Sequence, residues 1–266
     1  ACTGAVLRRY EAYGWQTLHA DLLPNGSIDI DAVNAAILEG QADINRPTII
    51  RMRSIIGWPA PKLQNTGKAH GADLGAEEVG AIKEILGFDP NKSFQVDDQV
   101  LAHTREVVGR GKEAHEKWTL QYNAWRDSHA EKAALLDRIL AEKLPDDFDA
   151  AIPVFETGTS VATRVASGKV INAIAPVLPE FWGGSADLAG SNNTSIDDGM
   201  SFEPEGSPVP NSSPYGRIIH FGVREHGMGA ILNGIAVGGI SKVYGGTFFT
   251  FADYMRGAVR VGSLMD

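Results

Sequence analysis

The sequence predicts an α/β protein whose parallel sheets lie in two parts joined by a helical connector. Three observations carry that prediction. Helical and strand-like periodicities alternate over the first hundred residues and resume from Ser160, the rhythm of parallel strands covered by helices. Between Asp97 and Leu144 the spacing is helical throughout and no strand candidate occurs. The chain has 266 residues, 43% of them hydrophobic, enough for one large core or two ordinary ones. The expected division is 1–95, a connector over 96–158, and 159–266.

In order, Val6, Leu7, Tyr10 and Tyr13 recur at helical spacing, and Gly14 stands where a helix C-terminus favours glycine. Trp15 to Ala20 reads as a short strand. Ser27 precedes Ile28, Ile30, Val33, Ala36 and Ile37, which predicts a helix capped by Ser27 and closed by Gly40. Pro47 then opens TIIRMRSII, whose β-branched density predicts a buried strand. Gly57 to Gly75 is a long irregular stretch carrying a lone His70, and loops of that length are often functional. Ala76 to Leu86 returns to helix and stops at Gly87. Two or three helices follow to Leu144, and Pro145 to Gly158 is acidic and loop-like.

From there Val161 to Leu178 reads as helix and Phe181–Trp182 as the start of an edge strand. GGSADLAGSNNTS reads as a loop, and Pro204 to Gly216 as a second. Arg217 to Val223 is a strand, Arg224 to Val237 a helix, Ser241 to Gly245 a strand, and Phe251 to Leu264 a helix.

Lys plus Arg number 24 against 33 Asp plus Glu, a net charge of −9, which argues against nucleic acid as the main partner. A local basic patch for small phosphates stays allowed. The single cysteine, Cys2, excludes an internal disulfide and a cysteine-based zinc site. No apolar run nears the ~18 residues of a membrane span, and the first residues lack the order of a signal peptide. The expectation is a cytoplasmic protein without membrane partners. The glycosylation-type triplets at Asn192 and Asn211 therefore read as turn residues.

A phosphate-binding P-loop is excluded, because nine residues separate Gly158 from Gly168 and Val170 follows the lysine. No G-x-G-x-x-G follows a strand, and the Asp pairs lack metal-ligand spacing, so no metal ligands are assigned. More informative is IIHFGVREH at Ile218–His226, an apolar strand that hands over through a glycine to a charged triplet opening a helix. In open α/β sheets that position borders the ligand crevice. The residues alone equally allow Glu225 to complement the helix N-terminus, and Arg224 and His226 to act as local partners. Phe248, Phe251 and Tyr254, at spacing three, form one helical face, for core packing or for an aromatic slot. Ser185, Asp187 and Ser191 fall on the loop after a strand, and Arg164 on a helix.

Together these segments resemble the transketolases, thiamine-diphosphate enzymes of sugar-phosphate metabolism (the pentose phosphate pathway). The carrying residues are EAYGW at Glu11–Trp15, IIGWPAPKLQNTGKAH ending at His70, and VATR at Val161–Arg164. They continue in GGSADLAGSN at Gly183–Asn192, FGVREHGMGAILNG from Phe221 and YGGTFFTFADYMRGAVR from Tyr244. The resemblance implies the end of a diphosphate-binding domain, a helical linker and the front of a pyrimidine-binding domain.

It further implies roles residue by residue. Glu225 would hydrogen-bond the ring nitrogen of the aminopyrimidine, favouring the imino tautomer that removes the thiazolium C2 proton, while the cofactor carries the carbanion. Phe248, Phe251 and Tyr254 would surround the pyrimidine. Asp187 would lie near the cofactor at a subunit interface, and Ile56 would touch it. His70 would stand beside the diphosphate and the reaction centre, and Arg164 and Ser191 would hold a substrate phosphate. The implied partners are phosphosugars and a second subunit in a homodimer.

Magnesium is implied too, but the family's Gly-Asp-Gly metal motif does not occur in this sequence. Two alternatives stay open at this point. One is an inert transketolase-like fragment or interaction module retaining the dimer surface. The other is a related thiamine-diphosphate synthase, against which Arg164 and Ser191 count.

Overall fold

A computed structural model describes residues 5–265; Cys2 lies outside them. The chain forms two compact units, 1–112 and 113–266. The first carries α1 (Val6–Ala12), β1 (Gln16–Ala20), α2 (Ile30–Ala42), β2 (Thr48–Met52) and α3 (Ala76–Ile85). β1 and β2 pair in parallel, Gln16 opposite Thr48 through Ala20 opposite Met52, with α2 as the crossover. The helix boundaries correct two expectations. The cap of α2 is Asp29, not Ser27, because its carboxylate accepts from the Ala32 amide at 2.9 Å. Gly40 does not close the helix, which runs on to Ala42. Gly14 and Gly87 do follow their helices with φ of +81° and +79°, a conformation a side chain would disfavour.

α4 (Asp98–Ser128) is one helix of 31 residues. α5 (Ala130–Leu140) and the single turn α6 (Phe148–Ala151) follow it. Arg138 on α5 clasps Glu180 in a two-pronged pair at 3.0 and 2.8 Å, at the root of the sheet.

The remainder of the second unit contains α7 (Thr163–Ile174), β3 (Phe181–Ser185), α8 (Ala189–Asn192), β4 (Ser201–Phe202) and β5 (Ser212–Ser213). After these come β6 (Ile218–His220), α9 (Glu225–Val237), β7 (Lys242–Gly246), a 3₁₀ segment Phe249–Met255 and α10 (Arg256–Met265). The strands form one parallel sheet in the order β5-β4-β6-β3-β7. β3 is thus an interior strand, not an edge, and it includes the Gly183–Ser185 stretch that turn composition assigns to a loop. A side chain at Gly184 would strike the Ile219 carbonyl, so glycine lets the neighbouring backbones close up. β5 likewise interrupts the expected Pro204–Gly216 loop, and the last helix is preceded by the 3₁₀ segment.

Two apolar clusters hold this unit together. Ile171, Ala175, Leu178, Phe181, Ile196 and Ile218 form one, with Phe181 stacked on Tyr244 at 4.8 Å. Ala186, Phe221 and Met228 form the other, under the carboxyl ends of the strands. Among the described residues no helix is long and apolar enough to cross a membrane.

Candidate functional site

Strand register decides which residues meet. Ser185 at the end of β3 lies opposite His220 of β6 on one side and Gly246 of β7 on the other. The chain therefore leaves three adjacent strands at one level. Ala186–Leu188, Phe221–Glu225 and Thr247–Tyr254 emerge side by side, at the carboxyl edge where open α/β sheets bind ligands.

Glu225 is the first residue of α9, only 8% exposed, and borders a cavity of about 530 Å³ with Ala186, Asp187, Leu188, Val223, Phe251 and Tyr254. Among the described residues its carboxylate accepts no hydrogen bond and meets no cation. A local partner is not the answer either: the Arg224 guanidinium turns back to the Phe221 carbonyl at 3.0 Å. The carboxylate therefore faces the cavity with its hydrogen-bonding capacity free for a group that enters it.

Asp187 and Leu188 both adopt left-handed backbone, φ +58° and +51°, which presents the exposed Asp187 at the rim of the same cavity. Non-glycine residues in this region carry strain that functional sites commonly hold.

The aromatic trio forms a row. Phe248 and Phe251 stack at 6.1 Å and 18°, Phe251 and Tyr254 at 6.3 Å and 26°. None belongs to either buried cluster, and Tyr254 is 68% exposed, so the stripe is not core.

Phe248 borders a second cavity of about 510 Å³ with Arg164, Ser167, Asn192, Thr194 and Thr247. The exposed Arg164 guanidinium has no hydrogen-bond or ion-pair partner among the described residues. The Thr194 and Thr247 hydroxyls are buried without partners. Sequence reasoning misses these two cavity-lining threonines; the one local signal is that Thr247 follows the Gly245–Gly246 pair directly. Ser191 is exposed on α8, next to the buried Asn192.

Tyr244, beneath this cavity, donates to the Thr194 carbonyl at 2.6 Å, and burial pushes its phenol up to about 12. A further cleft of about 660 Å³ around Lys169, Asn172 and Asp197 contains none of the predicted site residues.

In the first unit, His70 is exposed and follows a 3₁₀ turn at Gly67–Ala69. Ile56 is 42% exposed, and its carbonyl accepts from the Asn65 amide at 2.8 Å. The loop between them is pinned by Glu78 of α3. That carboxylate is 5% exposed and accepts from the Lys62 and Leu63 amides at 2.7 and 3.0 Å. Among the described residues no cluster of three or more His, Cys, Asp or Glu could hold a metal ion.

Residues 1–145 match the transketolase thiamine-diphosphate-binding domain, and residues 159–266 the transketolase pyrimidine-binding domain. The chain is 53% identical over 261 residues to a transketolase of Mycobacterium bovis, covering 97% of this chain and 37% of that one. It is 46% identical over 263 residues to a transketolase of Geobacillus stearothermophilus, with coverage of 98% and 37%. Among solved structures, a Pichia stipitis transketolase in complex with sedoheptulose 7-phosphate superimposes with a TM-score of 0.87 at 39% identity, over 97% of this chain and 38% of that chain. The chain thus spans a little over a third of the length of the relatives it matches.

Proposed function

The chain belongs to the transketolase family, and from that premise we propose that its second unit supplies the aminopyrimidine half of a thiamine-diphosphate site for two-carbon ketol transfer between ketose and aldose phosphates. The observation that carries the reading is the Glu225 carboxylate, buried, unpartnered and bordering a cavity with stacked rings. These residues fit the pyrimidine. A carboxyl can share a proton with its ring nitrogen, and the rings offer faces to a planar heterocycle.

When bound, the cofactor supplies the carbanion-stabilising thiazolium. Glu225 holds and exchanges the proton that sets the aminopyrimidine tautomer. Phe248, Phe251 and Tyr254 orient the ring and exclude water from its faces. Asp187 adds an acceptor at the rim, and Ile56 an apolar contact. His70 is a catalytic group beside the diphosphate and the substrate oxygens. Arg164 and Ser191 bind the sugar phosphate, and the orphan Thr194 and Thr247 hydroxyls give that cavity further polar capacity.

The described residues offer no cluster that fits magnesium, and no step is assigned to it. The same reading makes the assembly a cytoplasmic homodimer with sites between subunits.

The test is calorimetric binding of thiamine diphosphate with and without magnesium, followed by a ketol-transfer assay on the same sample. Glu225→Gln is the decisive variant. The amide is nearly isosteric but cannot exchange the proton, so C2–H exchange of the bound cofactor should slow by about 10²–10⁴. A helix-terminus role instead predicts a loss of about 0.3–1 kcal/mol in stability with unchanged exchange. That outcome would remove Glu225 from the chemistry.

A further inference from the structure

The three segments that bear the candidate site are tied by a hydrogen-bond relay that none of their assigned roles uses. Asn192 Nδ2 donates to Ser185 Oγ at 2.7 Å, and Ser185 Oγ donates to the Gly246 carbonyl at 2.9 Å. Ser185 and Asn192 are 3% and 8% exposed, and the bond between them is buried. A hydroxyl has one proton, so the relay has a fixed direction: amide to hydroxyl to carbonyl.

Its members sit at the ends of the segments that matter. Ser185 lies two residues before Asp187, Asn192 follows Ser191, and Gly246 lies two residues before Phe248. Asn192 and Gly246 border the cavity of Arg164 and Phe248, and Ser185 is followed directly by Ala186 and Asp187 of the other cavity.

We infer that Asn192 and Ser185 are positioning residues that set the Phe248 ring and the Asp187 and Ser191 side chains in register with one another. The inference rests on the proposed function for what is being positioned, but the relay is tested without cofactor. Burial is what gives the two bonds leverage. With water excluded, losing Ser185 strands the Asn192 amide and leaves the Gly246 carbonyl with the Ala186 amide alone at 3.1 Å, while losing Asn192 removes the donor that orients the Ser185 hydroxyl, so the turn that carries Phe248 is held less tightly to β3.

The experiment is fluorine NMR of the cofactor-free chain with para-fluorophenylalanine at Phe248 alone. Ser185→Ala and Asn192→Leu should each shift and broaden the resonance, and together they should do no more than either alone, because both cut one relay.

Asn192→Asp separates the relay from simple packing. Its volume is nearly unchanged, but at neutral pH the carboxylate only accepts. It draws the Ser185 proton away from Gly246, so the resonance should be displaced. As pH falls and the buried acid protonates, it can donate to Ser185 again and the resonance should return towards its native position. Asp187, Glu225 and Arg164 border the same cavities, so the unsubstituted chain scanned in parallel is the baseline.

Arg138→Met, which destabilises the unit at another place, is the control for general loosening. The inference is overturned by an unmoved Phe248 resonance in Ser185→Ala and Asn192→Leu. It is equally overturned by an Asn192→Asp displacement that acid does not reverse, or by the same displacement in Arg138→Met. A variant that loses its helical spectrum altogether also overturns it, because the relay would then be a folding element. Failure of the chain to bind thiamine diphosphate would count against the proposed function and leave the relay standing.

Discussion

Replacing Arg138 by Met should be among the most damaging single changes in the second unit, and the structure says why. Its guanidinium meets both oxygens of Glu180, whose side chain is 4% exposed, and also donates to the Lys143 carbonyl at 2.9 Å. Glu180 immediately precedes β3, and its carbonyl accepts from the Lys242 amide at the start of β7. The pair therefore fastens the connector helix α5 to the roots of two strands whose far ends carry the candidate site.

Removing one partner of a buried pair leaves an uncompensated charge and costs about 3–5 kcal/mol. With a urea dependence of about 2 kcal/mol/M, the unfolding midpoint of this unit should fall by roughly 1.5–2.5 M. Arg138→Met combined with Glu180→Leu should recover to within about 1 kcal/mol of the native chain, since a buried pair exchanged for apolar groups is often neutral.

The sign of the pH dependence gives a second check. Burial pushes the Glu180 carboxyl up, but the Arg138 hydrogen bonds and charge, its own backbone hydrogen bond and the Lys242 charge together hold the group below its ordinary value. Its contribution is thus present above the ordinary carboxylate range and lost as pH falls through the lowered value. In Arg138→Met the upward push of burial is opposed only by the backbone hydrogen bond and the Lys242 charge, so the carboxyl moves up and acid should stabilise that variant relative to the native chain. Urea titrations at neutral and mildly acid pH measure both effects. A midpoint within ~0.5 M of native, or a double variant as unstable as the single one, would refute the reasoning.

Tyr244→Phe removes the hydroxyl that serves the Thr194 carbonyl and should cost about 0.5–1.5 kcal/mol at neutral pH. Because burial raises the native phenol to about 12, the unsubstituted chain should also lose stability between pH 10 and 12, and thermal melts of the phenylalanine variant should lack that alkaline limb. Glu78→Ala strands two backbone amides and should cost about 1–3 kcal/mol, visible as faster amide exchange over residues 57–66. Lys62→Met, by contrast, removes only an exposed pair with Glu77 and should leave that exchange unchanged. Gly184→Ala should cost about 1–3 kcal/mol or more by urea unfolding, because the new methyl group meets the Ile219 carbonyl between packed strands.

Much of this architecture is legible in the residues. The helix–strand alternation, the absence of strands in the connector and the glycines after α1 and α3 are local signals, and the structure follows them. The misreadings share one cause, tertiary context overriding local composition. Asp29 wins the cap of α2 over Ser27 because its carboxylate reaches the Ala32 amide. Gly183–Ser185 has turn composition, yet it is strand, because small residues let β6 and β7 close on both sides. Phe248, Phe251 and Tyr254, whose spacing left core packing and an aromatic slot both open, line cavities: Phe248 just before the 3₁₀ segment, Phe251 and Tyr254 within it.

What separates a site from a surface here is whether a polar group has a partner, and that is a long-range property. Asn192 illustrates it. In sequence it belongs to a glycosylation-type triplet and to a run of turn residues, the least informative context in the chain. In the fold it is buried, and its amide reaches Ser185, seven residues back, whose hydroxyl reaches Gly246, 61 residues on. Glu225 is the converse. Its local context offers a ready role at a helix N-terminus, yet folding buries it beside Phe251 and Tyr254 and gives it nothing to bind. A helix-terminus contribution of at most about 1 kcal/mol is a poor return for a buried, unpaired carboxylate. A group that enters the cavity, shares a proton with the carboxyl and lies flat against the rings uses both features at once.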